Sequence, residues 1–219
     1  MKSSNLFLAT TTTFLIAAAA QAASVNMEDP RRALGREDDV RVDAQIFQET
    51  VSSGTPITIT YQIHNLTQQP VAIAAKTAAA SYDADTQTIT VAIGSEVPAD
   101  GQMPQLVTIA PGEKKTMQVA ATPNFVLPRM RTPFVAAPRY VQLKVNILRN
   151  LEPFATLIEQ QGKSPNQRVA LSDDQFDHWL ESNDAIFLNA IPVHWQPRGN
   201  NLLPDVERGS AATRRGSSF

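Results

Sequence analysis

The chain has 219 residues, 42% hydrophobic and 18% charged, with 19 basic against 21 acidic side chains for a net charge of −2. So even a balance lacks the basic excess of a nucleic-acid binder. There is no cysteine, which excludes disulfides, iron–sulfur sites, a thiol nucleophile and a lipid-bearing N-terminal cysteine, so stability must come from ordinary burial.

The N-terminus carries Lys2, then an apolar run from Leu6 through Ala20, then the small-residue pattern Ala20-Gln21-Ala22. Charged region, apolar region and cleavage site in that order read as a secretory signal peptide over 1–22, with an uncleaved anchor as the alternative. The expected location is periplasmic or extracellular. The removed segment holds one lysine and no acid, so the mature chain stays mildly acidic. No later apolar run approaches the roughly 18 residues of a membrane helix, so no membrane span is expected after cleavage. The final residue is the aromatic Phe219, but Arg215-Gly216-Ser217-Ser218 before it shows none of the alternation of an outer-membrane barrel strand.

Residues 23–39 are rich in charge (Glu28, Asp29, Arg31, Arg32, Arg36, Glu37, Asp38, Asp39) and poor in apolar side chains, and read as a charged linker. From Val40 the period becomes two. Val40, Val42, Ala44 and Ile46 form one dry face, and Ile57, Ile59, Tyr61 and Ile63 another, with Ser52-Ser53-Gly54 as the turn between them. Asn65 to Pro70 turns the chain into Val71 and Ile73. Asp83-Ala84-Asp85 precedes Ile89, Val91 and Ile93, and Val107 and Ile109 run into Pro111-Gly112. Met117 and Val119 follow, then Val141, Leu143, Val145 and Ile147. Seven strands at regular spacing predict a mainly β fold, a single antiparallel sandwich in which two greasy faces pack together.

After Asn150 the period shifts to about 3.6. Leu151, Phe154, Leu157 and Ile158 share a helical face that Gly162 closes. Ser172 and Gln175 form a capping box, Leu171 and Phe176 a hydrophobic staple, and Asp173 and Asp174 favour the positive end of the helix dipole. Phe176, Trp179 and Leu180 form the expected buried stripe. A final strand is expected over Ala185–Trp195, apolar on both faces, with Pro192 marking a bulge or an edge. The domain therefore spans 40–195, with a helical insertion over 151–182 made of two short C-terminal helices. Residues 196–219, dominated by Pro, Gly, Ser, Asn and Arg, read as a disordered tail.

Two phrases carry a resemblance: the strand-to-turn run Ile57-Thr58-Ile59-Thr60-Tyr61-Gln62-Ile63-His64-Asn65, and Ile109-Ala110-Pro111-Gly112-Glu113. On them the stretch from about Val40 to Ile147 resembles the immunoglobulin-like β-sandwiches of exported bacterial proteins. The whole chain resembles secreted bacterial proteins of no assigned activity. The resemblance implies a sandwich and no particular chemistry. Periplasmic pilus chaperones share the export and the Pro-Gly-Glu turn but have two sandwich domains, whereas the residues after 150 here read as helix, helix, strand.

Candidate chemistry is sparse. His64, His178 and His194 are each alone in sequence, outside any H-x-x-x-H spacing. Asp38-Asp39, Asp173-Asp174 and the Asp83-Asp85-Thr86 turn offer oxygen atoms without the alternating ligands of a calcium loop. Asn65-Leu66-Thr67 matches a glycosylation sequon but reads as turn chemistry. There is no G-x-S-x-G elbow, phosphate-cradling glycine loop or S-x-x-K element, so no cofactor and no metal are expected. Carboxylates gathered only in space would leave no mark in sequence.

One stretch stands apart. Pro123, Pro128, Pro133 and Pro138 fall five residues apart, enclosing Phe125, Val126, Leu127, Arg129, Arg131, Phe134 and Val135 and followed by Arg139. Stiffened apolar and arginine side chains suit a protein-binding surface; the alternative is that they cap the open end of the sandwich. The resulting expectation is a non-catalytic module contacting another envelope or secreted protein. The alternatives are a hydrolase with spatially assembled carboxylates, and a chaperone or inhibitor offering a sheet edge to an extended peptide.

Overall fold

The computed structural model describes residues 25–26, 28–29, 31–125, 137–164 and 169–196. The expected signal peptide and all but the first residue of the expected tail lie outside the described residues. In chain order the first strands are β1 (Arg32–Glu37), β2 (Val40–Ile46), β3 (Thr50–Val51), β4 (Ile57–Asn65) and β5 (Val71–Ile73). Next come β6 (Ala78–Asp83), β7 (Thr88–Ile93), β8 (Gln102–Met103), β9 (Val107–Ile109), β10 (Lys114–Ala121) and β11 (Tyr140–Leu148). The remainder is α1 (Ala155–Lys163), β12 (Val169–Ala170), α2 (Asp173–Ser182), β13 (Asn183–Phe187), β14 (Ile191–Pro192) and β15 (His194–Trp195).

The chain is mainly β, and two sheets dominate. One runs β1-β2-β4-β10, antiparallel throughout. The other runs β6-β7-β11, with β13 and β14 along the far edge of β11, while β5 and β9 continue beside its end. The period-two pattern decides what is buried. Val40, Val42, Ala44, Ile59, Tyr61 and Ile63 from the first sheet are fully buried, as are Ile89, Val91, Leu143 and Val145 from the second. They belong to one apolar cluster, so a single core joins the two sheets. Each such aliphatic side chain contributes roughly 1.5–3 kcal/mol. Tyr61 brings a hydroxyl into that core and donates it to Ala75 O at 3.2 Å, and burial pushes its ionisation far up.

Four expectations need correction. The second sheet is mixed: β11 runs parallel to β7 from Tyr140↔Thr88 to Val145↔Ile93, and β15 runs parallel to β3. Between β7 and β11 the chain crosses to the first sheet as β10 and returns, which leaves β11 free to enter in the same direction as β7. The expected linker contains β1, paired with β2 from Arg32↔Gln45 to Glu37↔Val40. Asp38 and Asp39 make its two-residue turn with φ of 40° and 60°, the positive pair that a primed hairpin turn requires. Small residues let this strand dock: a Cβ on Gly35 would lie 2.8 Å from Phe187 O. The final strand is three pieces, β13, β14 and β15. The break at 188–190 resets the alternation, so Phe187 is exposed while Ile186, Leu188 and Ile191 are buried. Finally Leu180, placed by period in a buried stripe, is 46% exposed.

The residues after 148 build a second, smaller core. Leu148 points to the outer face of β11, yet it is only 1% exposed because Phe154 and Trp179 close over it together with Met103. The two aromatic rings meet edge-on at 5.7 Å. Leu151, Leu157, Ile158 and Leu171 pack against them. The capping box forms: Ser172 Oγ accepts from Gln175 N, and the Gln175 side chain accepts from Ser172 N. Trp179 Nε1 donates to Glu96 O, and Asn183 Nδ2 donates to Ser95 O and Glu96 O. These bonds fasten α2 and the start of β13 to the loop that follows β7.

Candidate functional site

The proline-spaced segment is described at its two roots. Val126, Leu127, Arg129, Arg131, Phe134 and Val135 lie outside the described residues. Phe125 is half-buried and packs against the main core. Its ring stacks on Tyr82 at 4.4 Å and on Trp195 at 5.1 Å. Gly54 N donates to Pro123 O at 2.8 Å, and Ser53 Oγ donates to Phe125 O at 2.8 Å. On the far side, Arg139 N donates to Gln87 O and Arg139 O accepts from Val193 N, at 2.8 and 2.9 Å, while the Arg139 residue is exposed. The roots are thus tied by hydrogen bonds to the turns that precede β4 and β7 and to Val193 between β14 and β15, and the aromatic partners come from distant parts of the chain. Sequence reasoning missed Tyr82 and Trp195, because nothing local in the alanine-rich β6 or in the terminal β15 marks them as partners of Phe125.

The histidines stand apart in space. His64 sits on the outer face of β4 between Arg41 and Lys114 in register, and desolvation together with those two cations pushes its pKa down. His178 lies on α2 near Glu181 at 3.5 Å. His194 begins β15, its N–H bonded to Glu49 O. Among the described residues no group of three or more His, Asp or Glu is placed to hold a metal ion.

The acidic pairs have local partners. Asp38-Asp39 is the hairpin turn, with Asp39 paired to Arg36 at 2.6 Å. Asp173-Asp174 is the first turn of α2. Asp83 accepts from the Thr86 hydroxyl and from Asp85 N, both at 2.9 Å, and these bonds hold its carboxyl below the usual range. Asn65 of the sequon is fully buried. Its Nδ2 donates to Gln69 O and Ile109 O, and its Oδ1 accepts from Thr67 N and Oγ1, so the amide serves as the turn's own template.

A groove of about 680 Å³ lies beside the end of β11, lined by Gln69, Pro70, Arg149, Asn150, Leu151 and Glu152 among others. Arg149 spends its guanidinium on structure, donating to Asp184 and to the carbonyls of Glu37 and Asp38. Among the described lining residues Glu152 is the one carboxylate, whereas sugar hydrolysis uses a facing pair. The outer edge of β1 is partly occupied: Leu34 N–H donates to Asn189 Oδ1 and Leu34 O accepts from Asn189 N. No helix among the described residues is long and apolar enough to cross a membrane.

No protein-family model, no curated protein and no solved structure matches this chain.

Proposed function

We propose that this chain is a non-catalytic exported module that binds another envelope or secreted protein, an immunoglobulin-like sandwich of its two sheets serving as the rigid support. The contact lies in the proline-spaced segment between Phe125 and Arg139. The observation that carries the reading is the anchoring of both roots. Phe125 is held by two rings and by the Ser53 hydroxyl on its backbone, Pro123 beside it is held by Gly54 N, and Arg139 is held by its backbone with its side chain in solvent. Anchored ends lower the cost of ordering whatever is held between them, which is how rigid scaffolds display binding loops.

The test is photo-crosslinking in cells with a photoreactive residue placed at Arg139 of the full chain. A reproducible adduct with one other protein is expected, lost when Arg129 and Arg131 are changed to Ala in a chain whose melting is unchanged. No adduct, or the same adduct after those changes, overturns the reading.

A further inference from the structure

The pairing register of the four-stranded sheet places four basic side chains in one row across its outer face. Arg36 stands opposite Arg41, Arg41 opposite His64, and His64 opposite Lys114. All four lie at outward positions, because Val40, Val42 and Ile63 beside them are fully buried. Arg36 is 62% exposed and Arg41 41% exposed at the side chain, and Lys114 is exposed with no ion pair among the described residues. Like charges directly opposite one another weaken a sheet, and this chain carries a net charge of −2, so nothing in its overall balance demands such a row. The acids facing it are Asp39, on Arg36, and Asp43, shared by Arg41 and Arg32. Among the described residues they leave Lys114 without a carboxylate partner, while Asp43 lies near enough to act on His64 as well.

The next rows along the same face are polar. Gln62 pairs with Thr116 and Thr60 with Gln118. There the residues before β1 already lie on the face: Gln45 Nε2 donates to Asp29 Oδ2 and Gln45 Oε1 accepts from Asn26 N. A stretch of polypeptide bearing a carboxylate is therefore held on this face at its Gln45 end, and the cationic end is open.

We infer that the row Arg36–Arg41–His64–Lys114 is a docking surface for an extended acidic segment of a partner protein, a contact separate from the end that carries Phe125 and Arg139. Three inter-strand steps of about 4.8 Å give the row a length of about 14 Å. Carboxylates at three alternate positions of an extended chain span about 13–14 Å. The partner segment lies along the row, across the strands, with its acidic side chains on the cations and Lys114 taking the uncompensated one. Exposed Leu34 and Leu66 flank the row and offer apolar contact to the same segment.

The test uses the full chain and a fluorescent peptide alternating serine and glutamate, followed by anisotropy. Controls are the same peptide with glutamine for glutamate, and vesicles of anionic phospholipid. Binding is expected for the glutamate peptide alone, weakened roughly tenfold when salt rises from about 0.05 M to about 0.3 M. Lys114→Glu and Arg36→Glu are each expected to weaken it about tenfold, with the protein still folded by circular dichroism because both sites are exposed. In NMR titrations the His64 ring is expected to hold its proton to higher pH when peptide is bound. Absence of binding at millimolar peptide, equal binding of the glutamine peptide, unchanged binding by the charge-reversed variants, or preference for the vesicles each overturns the inference.

Discussion

Along β11 the outward positions 144, 146 and 148 become steadily less accessible until Leu148 lies under Phe154 and Trp179. From Thr60 onward along β4 the outward positions run the other way, from fully buried Thr60 to partly accessible Gln62 and His64. The two covers differ in kind. The one over β11 is apolar, made by residues late in the chain, and rests on two large rings. The one over β2 is polar, made by the residues before β1, and rests on Asp29, Arg31 and Gln45. An apolar cover fails through lost volume, and a polar one through lost charge, so substitutions and pH separate them.

The largest effect is expected at the apolar cover. Trp179→Ala removes a buried ring and its bond to Glu96 O, and is expected to cost about 3–5 kcal/mol in denaturant unfolding. Amide exchange is expected to speed up first in α1 and α2 while β2 and β4 stay protected. Uniform loss of protection would mean that the two cores do not separate. Next, Ser172→Ala breaks the capping box without touching the cluster and is expected to cost about 1 kcal/mol by the same measurement. The smallest effect belongs to the polar cover and is a matter of pH. Hydrogen bonds from Arg31 hold the Asp29 carboxyl at about 2, below its ordinary 3.8. A depressed folded pKa means stabilisation that is present above about pH 4 and lost as pH falls through about 2. Asp29→Asn is therefore expected to narrow the gap between melting temperatures at neutral pH and near pH 2. An unchanged gap would show that Asp29 does not hold the cover.

What sequence could give was set by local periodicity. Val40 to Ile46 and Val141 to Ile147 announce themselves because alternation is a property of neighbouring residues, and Ser172 with Gln175 does so because a cap is local. β1 was hidden because Arg32, Arg36 and Glu37 look like linker until Ala33 and Gly35 are seen packing inward, and its turn uses Asp-Asp rather than the expected Asn-Gly or Asp-Gly. β6 was hidden by its alanines, which carry almost no pattern. The direction of β11 against β7 is a matter of topology, which spacing does not encode. The same holds for the cationic row. Arg36, Arg41, His64 and Lys114 are scattered over three-quarters of a hundred positions only until the register aligns them. The stack on Phe125 likewise joins Tyr82 and Trp195, which no local rule connects.

The most direct test of a binding role compares positions on the same protein. A photoreactive residue is placed in turn at Arg139, at Lys114 and at exposed Phe187 on the outer face of the other sheet, and adducts are recovered from cells. Protein adducts are expected at Arg139 and Lys114 and none at Phe187. Silence at the first two, or equal labelling at all three, would contradict it.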